Sequence, residues 1–190
     1  WISIADVCGK GVQAATKTSM IKYAVRALVA AGLSPAGVVG EVNTMTAETG
    51  DTSDIVTLWV GRYSPAHDSL VWANGGHPPG ILRRANGGFE RLSVTGPLLG
   101  AMSGVSYEER RVSFTAGDRI LLFTDGVTEA RSGGEFFGEQ RILDAFRATG
   151  SPQEDAERVL QMVRAFVQGA LRDDIAVLVV SALGMHDSES

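Results

Sequence analysis

The sequence predicts an α+β domain built as a four-layer αββα sandwich, with two antiparallel sheets flanked by helical hairpins. Three observations carry this expectation. A middle block of short strand-like runs is punctuated by the turn clusters Ser64-Pro65, Asn86-Gly87-Gly88 and Ala116-Gly117-Asp118, the pattern of an antiparallel meander. The runs Ile120 to Phe123 and Ile175 to Val180 are apolar without alternation, so they need cover on both faces. Only two pairs of long helical segments, one before the block and one after it, are available as outer layers.

Taken in order, Trp1 to Val7 reads as a strand. Gly11 opens a helix to about Ala31, with Met20, Tyr23, Ala24, Ala27, Leu28 and Ala31 at helical spacing and Gly32 as its terminator. Ser34 caps a second helix with Pro35 at its first position and Val38, Val39, Val42 and Met45 as its stripe. After the polar stretch Glu48 to Asp54, strands are expected at Ile55 to Tyr63, Ser69 to Ala73, Gly80 to Arg84, Phe89 to Val94, Tyr107 to Phe114 and Arg119 to Thr124. A mobile loop is expected at Ser132-Gly133-Gly134. Helices follow at Glu139 to Thr149 and Pro152 to Leu171, the latter opened by the capping box Ser151-Pro152-Gln153-Glu154 and carrying Val159, Leu160, Val163, Phe166 and Val167 on one face. Residues 1–183 form one expected domain and 184–190 a flexible tail. Trp1 stands inside a strand pattern with no initiator Met, which suggests a piece cut from a longer protein.

The chain has 190 residues, 44% of them hydrophobic, and a formal net charge of -5 from 17 basic and 22 acidic residues. Mean hydropathy is +0.07. Those values fit a soluble globular domain. The acidic balance, with no basic stripe interleaved with aromatics, argues against nucleic acid or an anionic membrane as partner. A single cysteine, Cys8, rules out an internal disulfide and agrees with a reducing compartment. No apolar run reaches the roughly 18 residues of a spanning helix, and no signal segment is visible, so the cytoplasm is the expected location.

Chemistry concentrates at strand ends. Asp125 follows the apolar run Ile120 to Phe123, with Gly126 behind it to permit a sharp turn. Asp6 ends the first strand, and Asp173-Asp174 precede the last. If the last strand runs antiparallel to the other two, the three sites converge at one sheet edge. Clustered carboxylates raise each other's pKa unless a cation neutralises them, and oxygen donors without His or Cys favour Mg²⁺ or Mn²⁺. Taken singly, each Asp also fits a turn or a helix cap. Cys8-Gly9-Lys10-Gly11 at the first helix can hold an anion, aided by Lys10, or serve as a tight turn. Cys8 itself suits a small core position. Asn74-Gly75-Gly76-His77-Pro78-Pro79 reads primarily as a turn, with His77 a possible proton donor. Thr124, Thr128 and Glu129 flank Asp125, Glu129 as an outer acid or a solvated helix start, and Arg131 suits the surface.

Together, Asp6 to Gly11 with Ala14-Ala15, Ala73 to Pro79, Gly117-Asp118 through Thr124-Asp125-Gly126-Val127-Thr128-Glu129-Ala130-Arg131, and Asp173-Asp174-Ile175 resemble the bacterial sporulation stage II E-type serine phosphatases, within the metal-dependent type 2C protein phosphatase superfamily. The resemblance spans almost the whole chain in the right order. It implies a site for two Mn²⁺ or Mg²⁺ ions, with Asp6 as bridging ligand, the Val7 carbonyl beside it, Asp125, and Asp173, with Asp174 as the alternative register. It implies phosphoserine hydrolysis by a hydroxide held between the ions, on a phosphorylated anti-sigma-factor antagonist protein. The parent regulator would carry sensor domains. Two departures are Gly75 where Ala is usual and Ala176 where Thr or Ser is common. The family's upstream Gly-Gly-Asp segment, which supplies strands and a metal-site acid, lies before this chain; a sheet edge left open that way suggests a homodimer.

Two readings of different class follow. One is a phosphoserine protein phosphatase; the other is a catalytically silent phosphatase-fold module that binds its partner. A nucleotide-binding ATPase is disfavoured, because the chain offers no phosphate loop.

Overall fold

The computed structural model describes residues 1–9, 11–48, 55–147, 150–167, 169, 171 and 173–182. In chain order the elements are β1 Ile2–Val7, α1 Gly11–Ala30, α2 Pro35–Glu48, β2 Val56–Ser64, a 3-10 turn at Pro65–His67, β3 Ser69–Gly75, β4 Gly80–Arg83, β5 Phe89–Leu92, β6 Arg110–Ser113, β7 Arg119–Phe123, α3 Asp125–Thr128, β8 Arg131–Ser132, β9 Glu135–Phe136, α4 Gly138–Arg147, α5 Pro152–Phe166 and β10 Val177–Ser181. The class is α+β, as expected, with two four-stranded antiparallel sheets ordered β1-β2-β3-β6 and β10-β7-β4-β5.

The meander pattern of the middle block is divided between the two expected sheets. Within the two four-stranded sheets, β2-β3 and β4-β5 are the hairpins between neighbours in sequence among the described residues; β4 pairs with β7 instead of β3. The break lies in Gly75 to Pro79. Gly76 turns with φ +68°, and Pro78 and Pro79 have no amide hydrogen to continue the β3 ladder.

The chain forms two compact units. The first, Trp1–His77 with Ser93–Ser113, packs Val38, Val39 and Val42 of α2 against Leu58, Val60 and Ala73. These are the α2 stripe, but Met45 is exposed and Asn43 and Thr46 are buried in its place. Asn43 donates to the Met102 carbonyl and accepts from the Gly100 amide, so its burial is satisfied. On α1 the inward residues are Ile21, Ala24, Val25 and Leu28, while Met20 and Tyr23 face outward. Alanines on several faces left that phase open in the sequence. Gly32 does terminate the helix, at φ +85°.

The second unit, Pro78–Leu92 with Phe114–Ser190, buries Ile120 to Phe123 in an interior strand, with Phe123, Phe137, Phe146, Val159 and Val163 in its core. The last strand starts at Val177 instead of Ile175, and as the sheet's edge it is only half-buried. Ser151 and Glu154 form the capping box, with each side chain accepting from the other's amide. Helix α5 ends at Phe166, short of Leu171. Ser132-Gly133-Gly134 is a tight hairpin joining β8 and β9, because both glycines take positive φ, +56° and +92°. The stretch 49–54, Thr149 and the tail from 183 lie outside the described residues. No described helix is long and apolar enough to cross a membrane.

Two acids tie this unit together. Asp155 on α5 is fully buried and meets Arg83 of β4 at 3.1 Å, Arg119 of β7 at 2.6 Å and Arg158 at 3.0 Å. Arg83 also donates to the Phe146 carbonyl on α4. Removing the carboxylate would leave cations buried without their counter-charge. Asp155→Ala is therefore expected to lose about 3–5 kcal/mol of stability in a denaturant titration. Asp118 is nearly as buried. Burial opposes its ionisation, but the amides of Thr115 and Ala85 and the Arg84 guanidinium outweigh that and hold its carboxyl below the ordinary value. A folded-state value below the unfolded one means that this stabilisation is present above the unfolded pKa and lost as pH falls through the folded one. Acid unfolding of Asp118→Asn should accordingly show a shallower loss of stability below about pH 4 than the parent.

Candidate metal centre

The second unit sets the backbone turn at Asp173-Asp174 beside the Thr124-Asp125-Gly126 segment. Antiparallel pairing of β10 with β7, Val177 opposite Phe123, sets the entry to β10 beside the exit from β7. Thr124 extends the contact by one step. Its amide donates to the Ala176 carbonyl at 3.1 Å, and its hydroxyl accepts from the Ala176 amide at 3.0 Å and donates to the Asp174 carbonyl at 3.3 Å. Thr124 looked in the sequence like a flanking residue; it is the clamp that positions the Asp173-Asp174 turn.

Gly126 serves a different purpose from the one expected. Its φ is not positive, so the turn does not need glycine's freedom. A Cβ there would instead run into the Asp174 carbonyl oxygen and lie 3.4 Å from the Asp173 Cβ. Asp125 opens α3, where its carbonyl accepts from the Glu129 amide at 2.8 Å and the Thr128 hydroxyl at 3.0 Å. Its backbone is thus fixed. Its Oδ1 is buried without a hydrogen-bond partner among the described residues. Asp173 and Asp174 are exposed, and Asp173 Oδ1 accepts from the Asp174 amide at 2.9 Å. A cleft of about 250 Å³ adjoins them, lined by Gly126, Glu129, Arg131, Val167 and Asp173 among others. Arg131 is exposed, as expected, with its guanidinium 4.2 Å above the Phe136 ring.

Asp6 and Val7 belong to the first unit. Asp6 stands opposite Thr57 and Val7 opposite Val56, at the end of β1. Directly opposed residues project to the same face. The Thr57 hydroxyl lies 2.8 Å from His77 Nδ1, and His77 is fully buried. Asn74 fixes that turn by donating to the His77 carbonyl at 2.9 Å and accepting from the His77 amide at 2.8 Å. His77 is therefore the core of a turn as well as a neighbour of the Asp6 edge. Cys8 is a correction: it lies just past the end of β1 and is exposed, while its amide still donates to the Ile55 carbonyl at 3.0 Å. Lys10 lies outside the described residues.

Among the described residues no three His, Cys, Asp or Glu side chains are gathered as ligands. The fit to a divalent ion rests on donor chemistry and on Asp125. Carboxylate oxygens suit a hard cation, and a buried carboxylate oxygen lacking a donor is one that a cation would satisfy. Gly126→Ala should break this arrangement by forcing the Asp174 carbonyl away: a loss of about 1–3 kcal/mol in urea unfolding is expected, with weakened Mn²⁺ binding by calorimetry.

Comparison with known proteins gives the same direction. The family model for stage II sporulation protein E matches residues 1–183. The chain is 31% identical over 183 residues to the phosphoserine phosphatase RsbU of Bacillus subtilis, covering 94% of this chain and 54% of that protein. It thus spans about half the length of that relative. In structure it is similar to the SiaA PP2C domain of Pseudomonas aeruginosa, with TM-score 0.82 at 21% identity over 94% of this chain and 74% of that one. It is also similar to the catalytic domain of the serine threonine protein phosphatase PstP in complex with 2 manganese ions, with TM-score 0.69 at 17% identity over 95% and 86%. The fold is that of the PP2C domains, and the chain belongs to the stage II sporulation protein E (SpoIIE) family.

Proposed function

We propose that the chain is a metal-dependent phosphoserine/phosphothreonine protein phosphatase domain, acting on a phosphorylated protein of the anti-sigma-factor antagonist type. One observation carries the reading: Asp125 Oδ1, just past the end of β7, is buried with no hydrogen-bond partner among the described residues. Support comes from the similarity to RsbU, a phosphoserine phosphatase, and from the two manganese ions of PstP. The residues that would hold two Mn²⁺ or Mg²⁺ ions are Asp125 and Asp173, with Asp174 in the alternative register, and in the first unit Asp6 and the Val7 carbonyl. Such ions would offset phosphoryl charge and make water a stronger nucleophile at neutral pH.

The chain's own part is placement. Thr124 and Gly126 hold the Asp173-Asp174 turn against α3, so two carboxylates are presented from fixed backbone. Thr57 stands beside Asp6 and is steadied by His77, which supports the site through that hydroxyl; Lys10 would add a cation near the first helix. Sensor domains in a longer parent chain would supply the input.

The test is hydrolysis of an aryl phosphate and of a phosphoserine protein with added Mn²⁺, in the parent and in Asp125→Ala. Losing a ligand worth several kcal/mol should cut activity at least about a hundredfold. Parent and variant hydrolysing equally would sink the proposal. If the parent hydrolyses neither substrate, the chain is instead a phosphatase-fold module that binds its partner without catalysis.

A further inference from the structure

The first unit's sheet carries a second feature, at the end of β2 remote from Asp6. Pairing places Arg62 of β2 opposite Val71 of β3, and Val71 opposite Arg111 of β6. Opposed residues share a face, so the two arginines project to one side, two strands or about 10 Å apart. Ser64 stands opposite Ser69, one step of two residues further along and therefore on the same face. This is the face whose other end is covered, since Leu58 and Val60 alternate in phase with Arg62 and pack in the helix-side core.

These residues line a cleft of about 540 Å³, together with Tyr63 and His67. No carboxylate is among its lining residues, although burial and then the nearby Asp68 carboxylate raise the pKa of the Tyr63 phenol. Asp68 stands next to His67 in the sequence yet outside the lining. Neither arginine has an ion pair among the described residues, and Arg62 is braced at 5.9 Å over the Trp1 ring. His67 Nδ1 lies 2.8 Å from the Ser64 hydroxyl, which ties the 3-10 turn to the strand. In a chain of net charge -5 with 22 acids, a cleft of two guanidinium forks, two serine hydroxyls and an imidazole is a locally cationic pocket.

We propose that this cleft is a binding site for a phosphomonoester anion, separate from the Asp6 edge. Guanidinium groups match phosphate oxygens with paired donors, and serine hydroxyls complete the shell. Thr57 and Arg62 are five residues apart on one strand, about 17 Å, so a ligand here does not reach Asp6. The inference is independent of the proposed catalytic activity.

The test uses the chain without metal, in chelator, followed by amide chemical shifts. The probes are inorganic phosphate, a phosphoserine peptide and an unphosphorylated acidic peptide. Saturable shifts at Arg62, Ser64, His67 and Arg111 are expected with both phosphate probes, weakened about tenfold in either Arg62→Gln or Arg111→Gln, each an exposed position. The two phosphate probes distinguish a free anion from a phosphoprotein by which saturates at lower concentration. Equal response to the unphosphorylated acidic peptide, shifts that persist in the double variant, or no saturable shift would each overturn the proposal. Arg111→Lys serves as a second variant: it keeps the charge, loses the fork, and should fall between parent and Arg111→Gln.

Discussion

A carboxylate withdrawn from water must be answered by a cation or by donors, because an unanswered one costs far more than any single contact returns. The second unit applies that constraint unevenly. Asp155 has three arginines, and Asp118 has two amides, a hydroxyl and a guanidinium. Those acids join β4, β7, α4 and α5 into one body. Asp125 sits at the end of the same strand β7 with a buried oxygen that nothing described answers. The contrast separates acids that hold the fold from the acid that the fold holds in place. It also explains why Asp125 needs such firm backbone support: α3 and the Thr124 clamp keep the carboxylate where its own hydrogen bonds would not.

Much of this was legible from local pattern. The unbroken run Ile120 to Phe123, the capping box at Ser151 and the acids at strand ends are features whose physics operates within a few residues. What sequence could not show depends on partners distant along the chain. Asp155 falls within the expected helix with nothing local to single it out; its three arginines come from β4, β7 and one turn onward. Two sheets were expected, but not the strand order within them: whether β4 would follow β3 or pair with β7 is settled by packing. On α1, alanines around the helix let the stripe be drawn through Met20 and Tyr23, whereas burial follows Ile21 and Val25.

Glycine shows the same division. Gly126 was visible as the partner of Asp125, and a positive φ is the usual reason for such a residue. The reason here is room for the Asp174 carbonyl, which comes from 48 positions further along the chain. Gly75 is similar: a Cβ there would collide with the Leu99 side chain, whose backbone bridges Val56 in both directions at 3.1 and 2.8 Å. Both glycines mark places where a distant segment is drawn tight against a strand end. Each lies at the edge where the candidate residues of its unit stand.

The same accounting, applied to cations, bears on the far end of the first sheet. An exposed arginine needs no partner, since water solvates it, so a lone one argues nothing. Arg62 and Arg111 differ because the strand register, which the core fixes through Leu58, Val60 and Ala73, forces them onto one face with Ser64 and Ser69. Register cannot slip without turning that apolar set outward. The positive cleft is thus as firmly positioned as the core itself. Charges whose backbone positions the register fixes beside serine hydroxyls have less freedom to lose on binding than charges on a loop, and that preorganisation favours an anion there over scattered basic side chains.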